Sequence, residues 1–302
     1  MEIFVNDEAI ETTLEDNDTI GSVLNQLTGW IESNGEFVIS TKFDEQDISS
    51  GLPPALAEQK ATSGGSISIQ TCPAIEYRVR RITIMDDYLS LLEENLLKGS
   101  LQEIQNAAIE YPYIQQQLAE ELGSGSSSNE LDTIIPALMQ ENKEPTSEQR
   151  QTIAIIVQMI RSVLQDRKRE ILHPQESARV AAEQLLDLMP EIVEVSIQIQ
   201  SNEQQTAMKT VFSVSELLGK LLRSLGVIEN TAQEANKLEI ANLKEREIGI
   251  LDLLKEFEEA FAANDTVSVG DILEYEVAPV LEEFCHDILR AITDKTNGVE
   301  GS

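Results

Sequence analysis

The sequence predicts an α+β protein that is mainly helical, with a small β-containing domain at the N-terminus and a long-helix antiparallel bundle after it. Alternation of apolar and polar residues, which is typical of strands, is concentrated in the first quarter of the chain. From Met85 onward, apolar residues recur at steps of three and four, as they do on one face of a helix. The 302 residues are also enough to bury such cores without disulfides or metal.

The first 73 residues alternate between strand and helix signals. Residues 2 to 14 predict a β-hairpin around a polar turn at residues 6 to 8. A helix should follow, with Asp16, Asn17 or Asp18 as its cap, and it should end at residues 34 and 35. Further strands are expected around residues 37 to 43 and 66 to 71, so this region should form one small sheet with one main helix.

The order of hairpin, helix, strand, irregular stretch and strand resembles the ubiquitin-like β-grasp fold over residues 1 to 73. The letters IFVN and NDTIGSVLNQL most resemble the small sulfur-carrier branch of that superfamily. Carriers of this branch act through a free C-terminal Gly-Gly, whereas Gly64 and Gly65 lie before a strand inside this chain. The resemblance therefore implies the fold but not carrier chemistry, and the glycines should permit a turn with positive φ. A further alternative is that the β-grasp domain recruits a ubiquitin-fold partner.

A connector at residues 74 to 84 is expected to be extended or to form an additional strand. It contains Arg78, Arg80 and Arg81, which could contact an anion or could pair with the chain's own carboxylates. Short helices are predicted over residues 85 to 122. The letters GSGSSSN at residues 123 to 129 then predict a flexible linker.

Residues 130 to 295 predict an acidic helical bundle, and residues 296 to 302 a disordered tail. Four breaks between helices are expected, at residues 173–174, 201–202, 226–230 and 264–270. Pro190 and Pro279 should kink or interrupt their helices, because proline removes a backbone donor. Arg167 and Glu247 interrupt the apolar stripes, which allows a buried ion pair or two side chains that reach solvent.

The charge balance limits the classes of partner. The chain has 22 basic and 54 acidic residues and a net charge of −32, which opposes binding to nucleic acid or anionic lipid. A protein partner with a basic surface is expected, although the charge could instead serve only solubility. No apolar run is long enough to span a bilayer, the first residues do not look like a signal peptide, and the two cysteines form no CxxC motif. A cytoplasmic location without membrane insertion is predicted.

Each of the two histidines ends an ExxH pattern, Glu170 with His173 and Glu283 with His286. Glu and His three residues apart bind metal in di-iron carboxylate bundles, so these four residues are the metal candidates. At 100° per residue, however, His286 points about 200° away from the apolar stripe residue Phe284. His173 has the same relation to Ile171, so both histidines should be exposed. The prediction is therefore no metal and no other cofactor.

Catalytic motifs are absent from the sequence. Cys285 and His286 are adjacent, and adjacent residues of a helix do not face each other. The chain contains no P-loop, GxGxxG, HExxH or GxSxG pattern. A non-enzymatic role is predicted.

Residues 264 to 288 mix a strong apolar stripe with acidic residues and one tyrosine. Pro279 lacks the N–H that would bond the Tyr275 carbonyl in a regular helix. The segment is interpreted either as a docking helix or as the closing helix of the bundle. The partner-binding candidates are Glu274, Tyr275, Glu276, Glu282 and Glu283.

These observations favour a non-enzymatic adaptor, chaperone or scaffold whose acidic surface engages a protein partner. In composition and architecture the chain resembles the acidic helical chaperones of bacterial secretion and flagellar export. Two alternatives stay open. One is a di-iron or di-manganese bundle oxidoreductase, and the other is a structural helical protein that forms homo-oligomers.

Overall fold

A computed structural model describes residues 1–49, 51–123, 128–140, 144–201, 203–230, 238, 240, 242–263 and 265–300. Helices account for 76% of the structure, and a small N-terminal sheet precedes the long helices. The predicted class, α+β and mainly α, is confirmed. The chain divides into two compact units, residues 1–165 and 166–302.

The first unit opens with a mixed five-stranded sheet of order β2-β1-β5-β3-β4. Its strands are β1 (Glu2–Val5), β2 (Glu8–Ala9), β3 (Glu36–Phe43), β4 (Gln46–Asp47) and β5 (Ser66–Pro73). β1 and β5 are parallel neighbours, and the other pairs are antiparallel. The central strands carry the sheet's buried side chains, including Ile3, Ile67 and Ile69.

The turns of the sheet follow from residues that tolerate positive φ. Asn6 and Asp7 have φ of 49° and 67°, the conformation that a tight two-residue hairpin requires. The second strand of this hairpin is shorter than expected and ends at Ala9 rather than near residue 14. Gly65 has φ of 96°, and a Cβ there would lie 2.7 Å from Cζ of Phe43. The prediction that Gly64 and Gly65 form a turn with positive φ is confirmed.

Helix α1 (Ile20–Ser33) packs on the sheet through Ile20, Val23 and Ile31. Its N-cap is Thr19, whose hydroxyl accepts the Ser22 N–H in a capping box. The cap predicted at residues 16 to 18 is therefore wrong, because the Asp18 carboxylate accepts the Glu15 N–H instead. A short helix α2 (Pro54–Ala57) and a 3₁₀ turn (Ala61–Ser63) fill the stretch before β5.

Helices complete the first unit: α3 (Ala74–Lys98), α4 (Leu101–Ile109), α5 (Tyr111–Leu122), α6 (Ser128–Gln140) and the part of α7 (Ser147–Leu172) up to residue 165. Residues 74 to 84 begin α3, so the predicted connector or strand is wrong. The helix forms because its buried positions, from Ile82 to Leu96, follow helical spacing. The Tyr77 ring also stacks on Phe37 of β3, with ring centroids 4.8 Å apart.

The unit boundary differs from the sequence prediction, which begins the bundle at residue 130. α6 contacts α4 and α5, and Arg161 of α7 pairs with Asp86 and Glu93 of α3 at 2.9 and 2.6 Å. These contacts place residues up to 165 in the first unit. Residues 124–127 of the expected linker lie outside the described residues, and Ser128 already belongs to α6.

The second unit contains the end of α7 and α8 (Pro174–Gln200), α9 (Gln204–Asn230), α10 (Leu243–Ala262), α11 (Thr266–Asp271), a π-helical turn (Ile272–Val277) and α12 (Ala278–Glu300). The breaks expected near residues 173 and 201 are confirmed. The break expected at residues 226–230 is wrong, because α9 continues to Asn230 with Leu225 and Ile228 buried on its inner face.

Three other expectations about the second unit need correction. The break at residues 264–270 is shorter than expected, since Thr266 already begins α11. α12 extends to Glu300, so the disordered tail is wrong for residues 296–300, where no proline ends the helix. Residues 301 and 302 lie outside the described residues. α8 runs through Pro190 as one helix, so that proline does not interrupt it.

Candidate functional site

Helix α11 leads into the candidate site and is fixed at both ends. The Asp265 carboxylate caps it by accepting the Ser268 N–H at 3.1 Å and the Ser268 hydroxyl at 2.7 Å. These bonds hold the pKa of Asp265 below its ordinary value. At the other end, a Cβ on Gly270 would lie 2.7 Å from Cβ of Ser196 in α8. Only glycine lets the two helices approach this closely.

The π-helical turn that follows α11 ends at Val277, two residues before Pro279. The Ala278 N–H donates to the Leu273 carbonyl, five residues back. In an α-helix the residue at 279 would donate to the Tyr275 carbonyl, and proline has no N–H to do so. The wider turn accommodates this missing donor while it keeps Leu273 and Val277 buried. Such turns are frequent at functional sites.

The outer side of this turn and of early α12 carries an exposed aromatic residue among carboxylates. Tyr275 is 67% exposed and Val280 36% exposed, and Glu276, Glu282 and Glu283 are exposed in the same segment of the chain. We call these five residues the Tyr275 surface. Beneath it, Leu281, Phe284 and Ile288 are buried in the core. Four of the five sequence-predicted docking candidates therefore share one exposed stretch of the chain.

Glu274 is the one predicted candidate that is not fully exposed. A hydrogen bond between the side chains of Glu274 and Tyr275 raises the pKa of the tyrosine hydroxyl. Glu274 is therefore set apart from the three fully exposed glutamates of this segment.

Arg246 of α10 borders the Tyr275 surface on one side. Its guanidinium donates to Asp287 at 2.5 Å, approaches Glu283 at 3.5 Å and lies 5.4 Å from the centroid of the Phe284 ring. The Arg246 hydrogen bond is the main reason that the pKa of Asp287 is lowered. Within the part of the chain that the structure describes, no ion pair involves Glu276 or Glu282. Their charge is therefore directed at solvent.

The two ExxH patterns do not converge on a common point. His173 and His286 are both exposed, as the sequence predicts. Glu283 is exposed and faces Arg246, whereas Glu170 is buried. Over the described ranges, no three His, Cys, Asp or Glu side chains form a group that could hold a metal ion.

Glu170 is instead clamped between two arginines. Its carboxylate, 3% exposed, accepts from Arg167 Nη1 at 3.2 Å and from Arg223 Nε and Nη2 at 2.8 and 3.1 Å. The hypothesis of a buried pair between Arg167 and Glu247 is therefore wrong, because Arg167 turns toward a carboxylate one turn along its own helix. Sequence reasoning missed Arg223. Its only signal is a single arginine in the apolar run LLRSLG.

Arg78, Arg80 and Arg81 each pair with a carboxylate of the first unit. Arg78 contacts Glu121 at 2.6 Å, Arg80 contacts Glu76 at 2.8 Å, and Arg81 contacts Glu120 at 2.7 Å. Two of these pairs join α3 to α5. The pairing with the chain's own carboxylates, expected of an acidic protein, is what the structure shows.

The two cysteines are buried and unpaired. Burial raises the pKa of the Cys285 thiol to about 12, and it also raises that of Cys72. His286 is exposed while its neighbour Cys285 is 0% exposed, so the two side chains face opposite sides of α12. As expected from their adjacency, they form no nucleophile and base pair.

Of the helices that the structure describes, none combines the length and the apolar composition of a membrane-spanning segment. Residues 1–73 match a family model described as the TP0873 N-terminal domain. Residues 176–286 match a model described as a domain of unknown function, DUF8042. No curated protein and no solved structure matches the chain. The second match spans α8 to early α12 and contains the whole Tyr275 surface, and neither description indicates a catalytic family.

Proposed function

We propose that the protein is a non-enzymatic adaptor, chaperone or scaffold that binds a basic protein partner through the Tyr275 surface. One observation carries the proposal. Tyr275 is 67% exposed on a π-helical turn, and the exposed carboxylates of Glu276, Glu282 and Glu283 belong to the same segment of the chain. An aromatic anchor with a charged rim is the arrangement from which protein interfaces draw most of their binding energy.

The chemistry of the surface favours a partner that combines an apolar pocket with lysines or arginines. Tyrosine can bury its large ring in a partner while its hydroxyl still forms a hydrogen bond. The residue therefore suits a surface that faces water when the partner is absent and is buried when the partner binds. The carboxylates would attract a basic patch and speed its approach, in line with the net charge of −32. The same charge opposes nucleic acid as the partner.

Preorganisation supports the same conclusion. Leu273 and Val277 anchor the π-helical turn in the core, and Gly270 holds α11 against α8. A surface that is already ordered loses little conformational entropy when a partner binds. The Tyr275 surface therefore has the rigidity that a docking site needs.

The N-terminal sheet supports a finer identity for the first 73 residues. Its order, with β1 and β5 parallel at the centre and a hairpin at each edge, fits the β-grasp topology. We infer a ubiquitin-like domain without carrier function, because Gly64 and Gly65 are held in a turn before β5. We further propose a cytoplasmic location, since both thiols are unpaired.

The proposal is tested by capturing partners with the full-length protein from a lysate of its own source, at low and at high salt. Replacing Glu276, Glu282 and Glu283 by Gln should abolish capture of a basic protein. The matched control replaces Glu256, Glu258 and Glu259, which are exposed on α10, by Gln. It removes the same charge and should leave capture unchanged. Equal loss in both variants would contradict a specific site.

Metal analysis of the same eluate tests the oxidoreductase alternative. The Glu170 carboxylate is engaged by two guanidinium groups, which compete with any cation for its oxygens. We therefore expect no stoichiometric iron or manganese. One or two equivalents per chain, without a protein partner, would overturn the adaptor in favour of an enzyme.

A second candidate function, self-assembly, is favoured by apolar side chains that face solvent on α8 and α9. Ile197 is 63% exposed and Phe212 67% exposed, and each has a further exposed apolar residue four positions earlier, Val193 and Met208. Exposed apolar residues one turn apart are typical of helices that oligomerise. Sedimentation of the wild type and of Phe212→Ser decides this. A concentration-dependent oligomer that Phe212→Ser dissociates would support it.

A further inference from the structure

The second strand of the N-terminal hairpin pairs with β1 over only a few residues, and the chain then leaves β1. We call the segment after this point, residues 11 to 14, the arm. The last contact is the Ile10 N–H, which donates to the Ile3 carbonyl at 2.8 Å. Beyond it, the described residues provide no hydrogen-bond acceptor for the backbone N–H groups of residues 11 to 14. Residues 11 to 13 are exposed. This arm therefore presents unpaired backbone groups to solvent, which is the property of an open sheet edge.

A groove of about 380 Å³ lies between this arm and α1. Its apolar side chains are those of Ile10, Leu14, Val23, Leu27 and Trp30. Trp30 is 54% exposed and is the one tryptophan in the protein. A half-exposed tryptophan beside an apolar groove leaves apolar surface in contact with water, which is unfavourable. A ligand that covers this surface would bind favourably, so the arrangement is typical of a binding site.

The backbone of the arm is open on its other side as well. Residues 9 to 13 line a second hollow of about 640 Å³ against β1. The peptide groups of the arm thus border open space rather than a neighbouring strand. They remain available to a chain that comes alongside.

The rim of the groove is acidic. Glu11 and Asp18 are among its lining residues, and none of the described residues that line it is basic. The Asp18 carboxylate already accepts the Glu15 N–H, whereas Glu11 is exposed. A ligand with lysine or arginine side chains therefore complements the rim.

We propose that this Trp30 groove binds an extended peptide segment of a partner, with alternating apolar and basic side chains. The peptide backbone pairs with residues 11 to 14 by strand addition, which supplies hydrogen bonds irrespective of sequence. One apolar side chain covers Trp30 and Leu27, and a basic side chain meets Glu11. The site lies in the first unit and is independent of the Tyr275 surface in the second.

The test uses the full-length protein and an eight-residue synthetic peptide of alternating valine and lysine. Because Trp30 is the one tryptophan, its fluorescence reports on this groove and on no other site. Binding should shift its emission to shorter wavelength and reduce quenching by acrylamide. A peptide of alternating valine and glutamate should bind at least about tenfold more weakly, since it brings like charges together.

Two further comparisons separate strand addition from general adhesion. Methylating alternate peptide nitrogens of the valine and lysine peptide removes its donors and should weaken binding by about tenfold, the loss of one to two hydrogen bonds. Glu11→Lys should weaken binding at least about fivefold. Glu8→Lys, an exposed residue of β2 outside the groove, should leave it unchanged.

Several results would overturn the proposal. The first is a Trp30 emission that does not change up to about 1 mM peptide, a concentration that would reveal even weak specific binding. The second is equal binding of the valine and lysine peptide and of its glutamate or methylated counterpart. The third is an equal effect of Glu11→Lys and Glu8→Lys on the affinity. None of these results bears on the Tyr275 surface, which contains no tryptophan. The two proposals can therefore fail separately.

Discussion

Arg223 of α9 donates two hydrogen bonds to the buried carboxylate of Glu170 at the end of α7. Arg167 donates to the same carboxylate from the preceding turn of α7. The Arg167 side chain is 15% exposed and that of Arg223 33% exposed, so both charges are partly removed from water. This three-residue clamp connects α7 to α9 within the second unit. The positive charges of its two guanidinium groups are compensated by the central Glu170 carboxylate.

Removing that carboxylate should destabilise the second unit. Glu170→Gln leaves two partly buried guanidinium groups without their counter-ion, and we expect a loss of about 3 kcal/mol in the free energy of unfolding. The free energy of unfolding is measured by denaturant titration, with the labelling of Cys285 as the readout. Cys285 is buried in this unit and becomes accessible when the unit unfolds. The control, Glu183→Gln, breaks an exposed pair with Arg179 and should cost less than about 1 kcal/mol. Equal losses would show that the clamp is unimportant.

Cys285 should be unreactive in the folded protein. Burial raises the pKa of its thiol to about 12. The thiolate, which is the reactive form, is then about one part in ten thousand at pH 8. Alkylation read by peptide mass spectrometry should modify Cys285 only as fast as the unit unfolds. Glu282→Cys, on the exposed side of the same helix, should react readily. Rapid alkylation of native Cys285 would contradict the packing of α12.

Glu247 should make stability depend on pH. Desolvation by burial, followed by repulsion from Glu229, raises the pKa of its carboxyl above the ordinary value of 4.5. The folded state then holds the proton more tightly than the unfolded chain. The contribution of the Glu247 carboxyl to the free energy of unfolding is fully present below its pKa in the unfolded chain. That contribution is lost as the pH rises through its pKa in the folded protein. Glu247→Gln should therefore be the more stable protein at neutral pH, by less than about 1 kcal/mol.

Thermal unfolding near pH 7 and near pH 4 tests this expectation. The advantage of Glu247→Gln should disappear at the lower pH, where the wild-type carboxyl is protonated too. Glu245→Gln, at an exposed position of the same helix, is the control and should show a smaller advantage. A Glu247→Gln protein that is less stable than the wild type at neutral pH would show that the carboxylate is stabilised rather than strained.

The close approach of α11 to α8 should make Gly270 intolerant of a side chain. In Gly270→Ala the new Cβ would lie 2.7 Å from Ser196, so a helix must shift, at a cost of about 1 to 3 kcal/mol. Gly249 of α10 has no such neighbour within 4 Å. Gly249→Ala should therefore stabilise its helix by about 0.5 to 1 kcal/mol. Denaturant unfolding with Cys285 labelling measures both. If Gly270→Ala were neutral, α11 would not be fixed as described.

Periodicity is the feature that made most of the fold predictable. The stripes that contain Ala181, Leu185, Leu218 and Phe284 are buried where the three- and four-residue steps predict. The hairpin turn at Asn6 and Asp7 and the glycine turn before β5 were predictable because few residue types adopt positive φ. Local chemistry that admits only one conformation can be recognised in a sequence.

The errors arose where tertiary contacts decide between local alternatives. Residues 75 to 84 alternate like a strand, yet the burial of Ile82 and Met85 and the stacking of Tyr77 on Phe37 favour a helix. Arg223 could not be paired with Glu170, because the partners are far apart in sequence and nothing in either helix specifies the contact. The Trp30 groove depends on where the arm after β2 leaves the sheet, and that path is not encoded in an alternating pattern.

The most direct test of the proposed function compares two exposed tyrosines. Tyr275 is 67% exposed in the second unit and Tyr113 is 72% exposed in the first. Full-length Tyr275→Ser and Tyr113→Ser should be used to capture the partner from the source lysate, and the retained protein quantified by mass spectrometry. We expect Tyr275→Ser to retain at least about tenfold less of the partner, the loss of an aromatic hot spot, and Tyr113→Ser to retain as much as the wild type. Undiminished retention by Tyr275→Ser would contradict binding through this surface.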